Sequence, residues 1–161
     1  MPAKPVPAAL AIGDKAPAFR LATAGGGEVS SAALKGRPYV LYFYPKDDTS
    51  GCTKEALEFS AAKKKFAAAG VEVIGVSKDS VASHDKFRTK HKLSIKLASD
   101  PELKAAMAYG VWVEKSLYGR KYMGMERATF LVDAAGKIRA VWRKVKVPGH
   151  VEAVLTAAKT L

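Results

Sequence analysis

An α/β fold, with a mixed central β-sheet flanked by helices, is what this 161-residue sequence predicts. Three observations lead there. The continuous apolar and aromatic run YVLYFY at 39–44 has the character of a strand covered on both faces. Helical apolar periods then alternate with short β-branched runs through residues 50–99, the order that gives parallel crossovers. Two late strand-like segments, RATFLV at 127–132 and KIRAVWR at 137–143, flank the turn DAAG at 133–136 and add an antiparallel pair.

Taken in order, residues 1–10 are rich in Ala and Pro and are expected to form a flexible N-terminal arm, with residues 11–161 as one domain. The Gly- and Ser-rich stretch 23–38 reads as loops with a short strand. The strand at 39–44 stops at Pro45, which has no N–H for a ladder, and PKDDTSG at 45–51 is turn chemistry. A helix over 50–69 follows, with Ala56, Phe59 and Phe66 on one stripe and Ala62 alongside. Its early Glu55 and Glu58 and late lysines suit the helix dipole, and Gly70 is a natural stop. VEVIGVS at 71–77 is a strand. Residues 80–92 read as a helix carrying Val81, His84, Phe87 and His91 near one stripe, and 96–99 as a short strand. Asp100 followed by Pro101 predicts an N-cap and first helical position, with the helix ending near 109–110. Residues 111–125, punctuated by Gly119 and Gly124, read as an irregular excursion or a loose hairpin. A last helix over 150–161 buries Val151, Val154, Leu155 and Ala158. The order β-α-β-α-β-α-β-β-α, with a loop-to-helix junction after the first core strand, is that of a thioredoxin-like fold.

Composition narrows the function classes. Net charge is +12, from 27 basic and 15 acidic residues, but the basic residues are spread along the chain and their longest run is 63–65. Such charge gives diffuse attraction rather than a site, so nucleic acid is not the expected partner; a basic nucleic-acid-binding module with an inert thiol is the alternative reading. No apolar run approaches the ~20 residues of a spanning helix, and no secretory leader is apparent, so neither membrane nor export is expected. A single cysteine precludes an internal disulfide and suits the cytoplasm. His84, His91 and His150 are scattered, so neither a metal nor another cofactor is expected; Trp112 and Trp142 read as packing residues.

That cysteine, Cys52, does not lie in an apolar run. It follows a polar turn where a helix begins, among N–H groups that lack intrahelical partners. The nucleophilic form of a thiol is the thiolate, which a helix N-terminus and a fixed cation both favour. Arg127, opening a predicted strand, is the candidate cation, because strand ends in this architecture border a common crevice. Taken singly, Thr49 could be a helix cap and Glu55 a complement to the dipole.

PKDDTSGC places Pro45, Thr49 and Cys52 at the spacing of proline, three residues, threonine, two residues, cysteine, and so resembles the peroxiredoxins. The surrounding YFYPKDDTSGCTKEALEF, with GVSKDSVASHDKF, LASDPELKAAMAYGVW and RATFLVDAAGKI in order, is similar to the bacterioferritin comigratory protein or peroxiredoxin Q branch. The resemblance implies a thiol peroxidase that reduces hydrogen peroxide and organic hydroperoxides. It makes Cys52 the peroxidatic cysteine, Thr49 the hydroxyl that hydrogen-bonds the peroxide, and Arg127 the guanidinium that holds thiolate and substrate. Pro45 would shield the pocket, Gly51 support it at the helix start, and Glu55 orient the arginine. The donors set around the breaking O–O bond would be helix N–H groups, Thr49 and Arg127.

The sequence departs from the branch in one respect that bears on mechanism. Where many members carry a resolving cysteine five residues on, this chain has Leu57, and no second cysteine exists. One-cysteine behaviour is expected, with an external thiol such as thioredoxin, glutaredoxin or glutathione as reductant, and a monomer or weak homodimer as the working form. Ser50 stands where relatives often have proline.

Overall fold

A computed structural model describes residues 10–161, so the arm expected over 1–10 lies, but for Leu10, outside the described residues. The elements run β1 (Arg20–Thr23), β2 (Glu28–Ser30), β3 (Tyr39–Phe43), α1 (Ser50–Ala68), β4 (Glu72–Ser77), α2 (Val81–His91), β5 (Lys96–Ser99), α3 (Lys104–Ala108), β6 (Trp112–Leu117), β7 (Arg120–Met125), β8 (Ala128–Val132), β9 (Ile138–Trp142) and α4 (His150–Ala158). Seven strands form one sheet in the order β2-β1-β5-β4-β3-β8-β9. β3 pairs parallel with β4 and antiparallel with β8, and β4 pairs parallel with β5, so the expected mixed thioredoxin-like sheet is present. No helix among the described residues is long and apolar enough to cross a membrane.

Strand alternation divides the core into two layers. Tyr39, Leu41 and Phe43 of β3 pack on one face with Ile74, Val76, Phe130, Ala106 and Tyr109. Val40, Tyr42 and Tyr44 pack on the other with Cys52, Ala56, Phe59 and Phe66 of α1, Phe87 of α2 and Val154 of α4. The catalytic-looking loop therefore leaves the middle of the sheet, and α1 returns over it. Tyr42 fits only because its neighbour on β4 is Gly75: a Cβ there would stand 2.6 Å from the Tyr42 ring. The ring stacks on Phe59 at 4.5 Å between centroids and so fixes the height of α1 above the sheet. At the far end of α1, Gly70 takes φ +76°, and the Gly70 and Val71 N–H groups donate to the Ala67 and Phe66 carbonyls. That is the Schellman stop that the glycine predicts.

Two local readings are corrected and a third is resolved. The stretch read as loops with a short strand contains half of a hairpin, β1–β2, whose turn uses positive φ at Gly25 and Gly26. Asp100 is not the N-cap and Pro101 is not the first helical residue. The chain first makes a turn with Leu103 at φ +60°, α3 begins at Lys104, and the Asp100 carboxylate reaches across to accept from the N–H groups of Ala105 (3.3 Å) and Ala106 (2.8 Å). Of the two readings of residues 111–125, the hairpin is the one present, and it is regular rather than loose. β6 and β7 form a regular six-pair antiparallel hairpin, separate from the main sheet and carrying exposed Leu117, Tyr122 and Met123. A strand ladder without a buried face lacks the alternation by which strands are recognised.

Candidate active site

Cys52 is the third residue of α1. The first intrahelical bond runs from the Thr53 N–H to the Thr49 carbonyl at 2.8 Å, so the N–H groups of Ser50, Gly51 and Cys52 precede it and point out of the helix end. The sulfur is buried, with 1% of the residue exposed. Arg127 reaches it: Nη2 donates to Cys52 Sγ at 3.3 Å, while Nη1 of the same guanidinium donates to Glu55 Oε1 at 2.7 Å. The two residues that sequence reasoning could only nominate from separate elements are thus in direct contact. Gly51 permits that approach, since a Cβ on it would lie 3.2 Å from Arg127 Nη2.

Arg127 sits just before β8, and its backbone is anchored on both sides. The Val145 N–H donates to its carbonyl at 3.0 Å, and the Glu126 N–H donates to the Val111 carbonyl at 2.7 Å. Glu126 also binds Arg143, whose Nη2 donates to the Gly110 carbonyl at 2.9 Å. Although burial works against its charge, Glu55 and Cys52 more than offset that and raise the guanidinium above its ordinary value. Glu55 itself is fully buried, with Oε2 unpartnered among the described residues. Burial lifts its carboxyl to about 7, against the opposing pull of Arg127. Glu55 therefore does not serve as a surface complement to the helix dipole; it faces inward.

Thr49 is in the N-cap position, but its side chain caps nothing: Oγ1 donates to the Lys46 carbonyl at 2.9 Å. Its one proton is committed, so toward a substrate it offers lone pairs. In this arrangement any further hydrogen bond at Oγ1 would be accepted, not donated. Pro45 is half-buried at the start of the same loop. Asp48 holds φ +59° and binds Lys90 Nζ (2.7 Å) and His91 Nε2 (2.8 Å), strapping the loop to α2.

Several nearby groups escaped sequence reasoning. Lys115 of β6 donates to the Met125 carbonyl; burial and the Arg127 charge lower its ordinary value, against Glu126 and Cys52. His150 is buried, its Nε2 2.7 Å from Thr129 Oγ1, with Phe59 and Trp142 packed edge-on at 6.2 and 5.8 Å between centroids. Burial first, and then the Arg127 charge, push His150 down to about 4. His84, read on one helix stripe with Phe87, is completely buried and bonded through both ring nitrogens. Its place on the stripe with Phe87 was the only sequence signal of burial.

These shifts predict two opposed pH effects on stability. Glu55, raised from 4.5 to about 7, keeps its proton in the folded state after the unfolded state has lost it, so its contribution falls as pH rises through that window. His150, lowered from 6.5 to about 4, resists protonation in the folded state, so its contribution is lost as pH falls from 6.5 toward 4. Each has a ceiling of about 3 kcal/mol, and they largely cancel in the wild type between roughly pH 4.5 and 6.5. Urea unfolding across that range should show the slopes separately: Glu55→Gln leaves stability rising with pH, and His150→Gln leaves it falling. Parallel profiles in all three proteins would contradict the assignment.

Comparison with known proteins gives a consistent picture. Residues 12–141 match the family model described as AhpC/TSA family. A Coxiella burnetii protein provisionally named as a peroxiredoxin is 51% identical over 144 residues, covering 89% of this chain and 95% of that protein. Peroxiredoxin Bcp of Bacillus subtilis is 46% identical over 150 residues, covering 93% and 96%. Among solved structures, peroxiredoxin Q of Xanthomonas campestris is similar with a TM-score of 0.85 and 44% identity over 88% of this chain and 90% of its own. A structure of the bacterioferritin comigratory protein of that organism, studied for its alkyl peroxide reduction activity, gives the same figures.

Proposed function

The chain belongs to the AhpC/TSA family and to the bacterioferritin comigratory protein or peroxiredoxin Q branch of the peroxiredoxins, and from that premise we propose that it is a one-cysteine thiol peroxidase with Cys52 as its nucleophile. Peroxiredoxins are thiol peroxidases, so the reaction class comes with membership; the residue roles, substrates and reductant are the proposal. The observation that carries it is the contact of the only thiol in the chain with Arg127, at 3.3 Å, at a helix N-terminus.

The geometry supports the following chemistry. Backbone N–H groups and the Arg127 guanidinium stabilise negative charge on Sγ. Thr49 Oγ1 accepts a hydrogen bond from the peroxide O–H, and Pro45 covers one side of the approach. The thiolate attacks one peroxide oxygen, the S–O bond forms as the O–O bond breaks, and hydroxide or alkoxide leaves and takes a proton from solvent. As charge moves onto the leaving oxygen, the N–H groups already lie around it. Glu55 holds Nη1, which fixes the plane of the guanidinium and turns Nη2 toward sulfur. Cys52 is left as a sulfenic acid. Hydrogen peroxide and small organic hydroperoxides are the substrates.

With Leu57 where a resolving thiol would stand, a second molecule must finish the cycle. An external thiolate attacks Cys52 Sγ, the S–O bond breaks as the S–S bond forms, and hydroxide leaves and takes a proton from solvent, which gives a mixed disulfide. A second thiol then cleaves that disulfide and restores the Cys52 thiolate. Because the residue is 1% exposed, the first turn of α1 has to open for this step, and reduction is slower than oxidation. The solitary thiol and dependence on a thiol pool favour the cytoplasm, with a monomer or weak homodimer as the working form. The test is stoichiometry. Without added thiol the enzyme should consume one equivalent of peroxide and gain one oxygen on Cys52 by mass spectrometry, and thioredoxin, glutaredoxin or glutathione should restore turnover. Sustained turnover with no thiol present would exclude the one-cysteine cycle.

A further inference from the structure

Behind the loop of residues 45–49 lies a buried polar cluster that the reacting atoms do not touch. Tyr44, Asp47 and His84 are 1%, 7% and 0% exposed. The Tyr44 hydroxyl donates to Asp47 Oδ1 at 2.6 Å, and Ser83 Oγ donates to Asp47 Oδ2 at 2.8 Å. His84 Nδ1 lies 2.7 Å from Asp47 Oδ2 and 3.3 Å from the Tyr44 oxygen, and His84 Nε2 lies 3.0 Å from the Ala98 carbonyl oxygen. The Asp47 N–H donates to Asp79 Oδ2 at 2.9 Å, and that oxygen also accepts from Ser77 Oγ at 2.6 Å.

Proton accounting fixes what this cluster is. A carbonyl oxygen can only accept, so His84 Nε2 carries a proton. The Tyr44 and Ser83 protons are both spent on Asp47. A 2.7 Å contact between Nδ1 and Oδ2 therefore requires one more proton on that line. Whichever atom holds it, the His84–Asp47 pair is neutral as a whole and every strong contact is satisfied. Apolar side chains could fill the same volume at less cost in desolvation, but would not fix a direction. This cluster does: a line of hydrogen bonds runs from the Ala98 carbonyl on β5, through His84, to the residue midway between Pro45 and Thr49.

We infer that His84 is a positioning residue for peroxide reduction, clamping Asp47 so that Pro45 and Thr49 are held in register over the Cys52 sulfur. The inference rests on the reading of Cys52 as the peroxidatic thiol. His84 does not touch sulfur; the features that favour negative charge there, the α1 N-terminus and Arg127, reach it from other directions. Loosening the clamp should therefore impair reaction with peroxide, which needs an ordered acceptor at Thr49, and spare reaction with an alkylating agent, which does not.

The experiment is the ratio of two second-order rates on Cys52 at neutral pH, with hydrogen peroxide and with iodoacetamide, in the full chain. His84→Gln supplies one amide group and can serve Asp47 or Ala98, not both. Its peroxide rate should fall about 10- to 100-fold, the scale of a reactant misplaced by about 1 Å, with the iodoacetamide rate within about twofold of wild type. Tyr44→Phe removes one hydroxyl, keeps the ring, and should lower the ratio in the same direction by about fivefold; if His84→Gln fails to fold, this variant decides. A wild-type ratio in folded variants, or equal losses with both reagents, overturns the positioning role and leaves the peroxidase reading intact. A wild-type Cys52 that alkylates but gains no oxygen from peroxide overturns both.

Discussion

Cys52→Ser is expected to abolish peroxide turnover while leaving the fold in place. The substitution exchanges sulfur for a smaller oxygen at a site of 1% exposure, and the new hydroxyl can accept the Arg127 N–H that sulfur accepted. Packing and hydrogen bonding are thus nearly preserved, and the melting temperature should move by only a few degrees. Chemistry is not preserved. A serine hydroxyl stays protonated at neutral pH without a general base, and among the described residues no base touches this position: Glu55 is engaged with Arg127, and His150 with Thr129. The chain has no other thiol, and its four methionines can each be oxidised but offer no thiol-coupled cycle. Peroxide consumption with saturating thiol should drop on the order of 10⁴-fold or more, to the uncatalysed rate. A folded variant that keeps measurable thiol-dependent turnover would remove Cys52 from the mechanism.

What the sequence disclosed, and what it hid, follows from where information is local. The strand at 39–44, the helix stripe of Ala56, Phe59 and Phe66, and the Gly70 stop are read from a few adjacent residues, and the fold agrees at each. Cys52 and Thr49 stand out for the same reason, since the turn and the helix start are contiguous with them. Arg127 is 75 residues from Cys52, and only the register of β8 against β3 brings it to the sulfur. From sequence it is nominated by its place at a strand end, and only the resemblance ties it to this sulfur. The Asp47–His84 pair was invisible because nothing local distinguishes a buried aspartate in a polar loop from an exposed one. Its partner is 37 residues on, across the sheet edge. The β6–β7 hairpin is legible only as one of two readings for the opposite reason: its pairing is local, but its burial pattern is not that of a strand with a core face. Asp100 shows an intermediate case. The carboxylate does cap a helix, but from one turn earlier than a simple N-cap, because the left-handed Leu103 inserts a bend.

Arg127→Ala should cost about 10²- to 10³-fold in the rate of Cys52 with peroxide, the scale of removing one preset donor from a charged transition state. Arg127→Lys should recover little. One planar fork serves Glu55 Oε1 and Cys52 Sγ at once, from Nη1 and Nη2, and a single ammonium cannot occupy both points. The stability consequence has its own pH signature. Truncation removes the charge and the hydrogen bond that pull the Glu55 carboxyl down, so its folded value moves further above 7 and the neutral form is retained. Below that value little stability is lost, because a protonated Glu55 does not need the guanidinium charge. Above it, ionising a fully buried carboxylate with no partner costs several kcal/mol, and the loss grows with pH. Adding Glu55→Gln to Arg127→Ala removes the ionisation and should restore stability at high pH, yet return none of the peroxide rate. If the double variant regains activity along with stability, the arginine acts only by keeping Glu55 folded in, and its proposed contact with the reacting sulfur has no catalytic content.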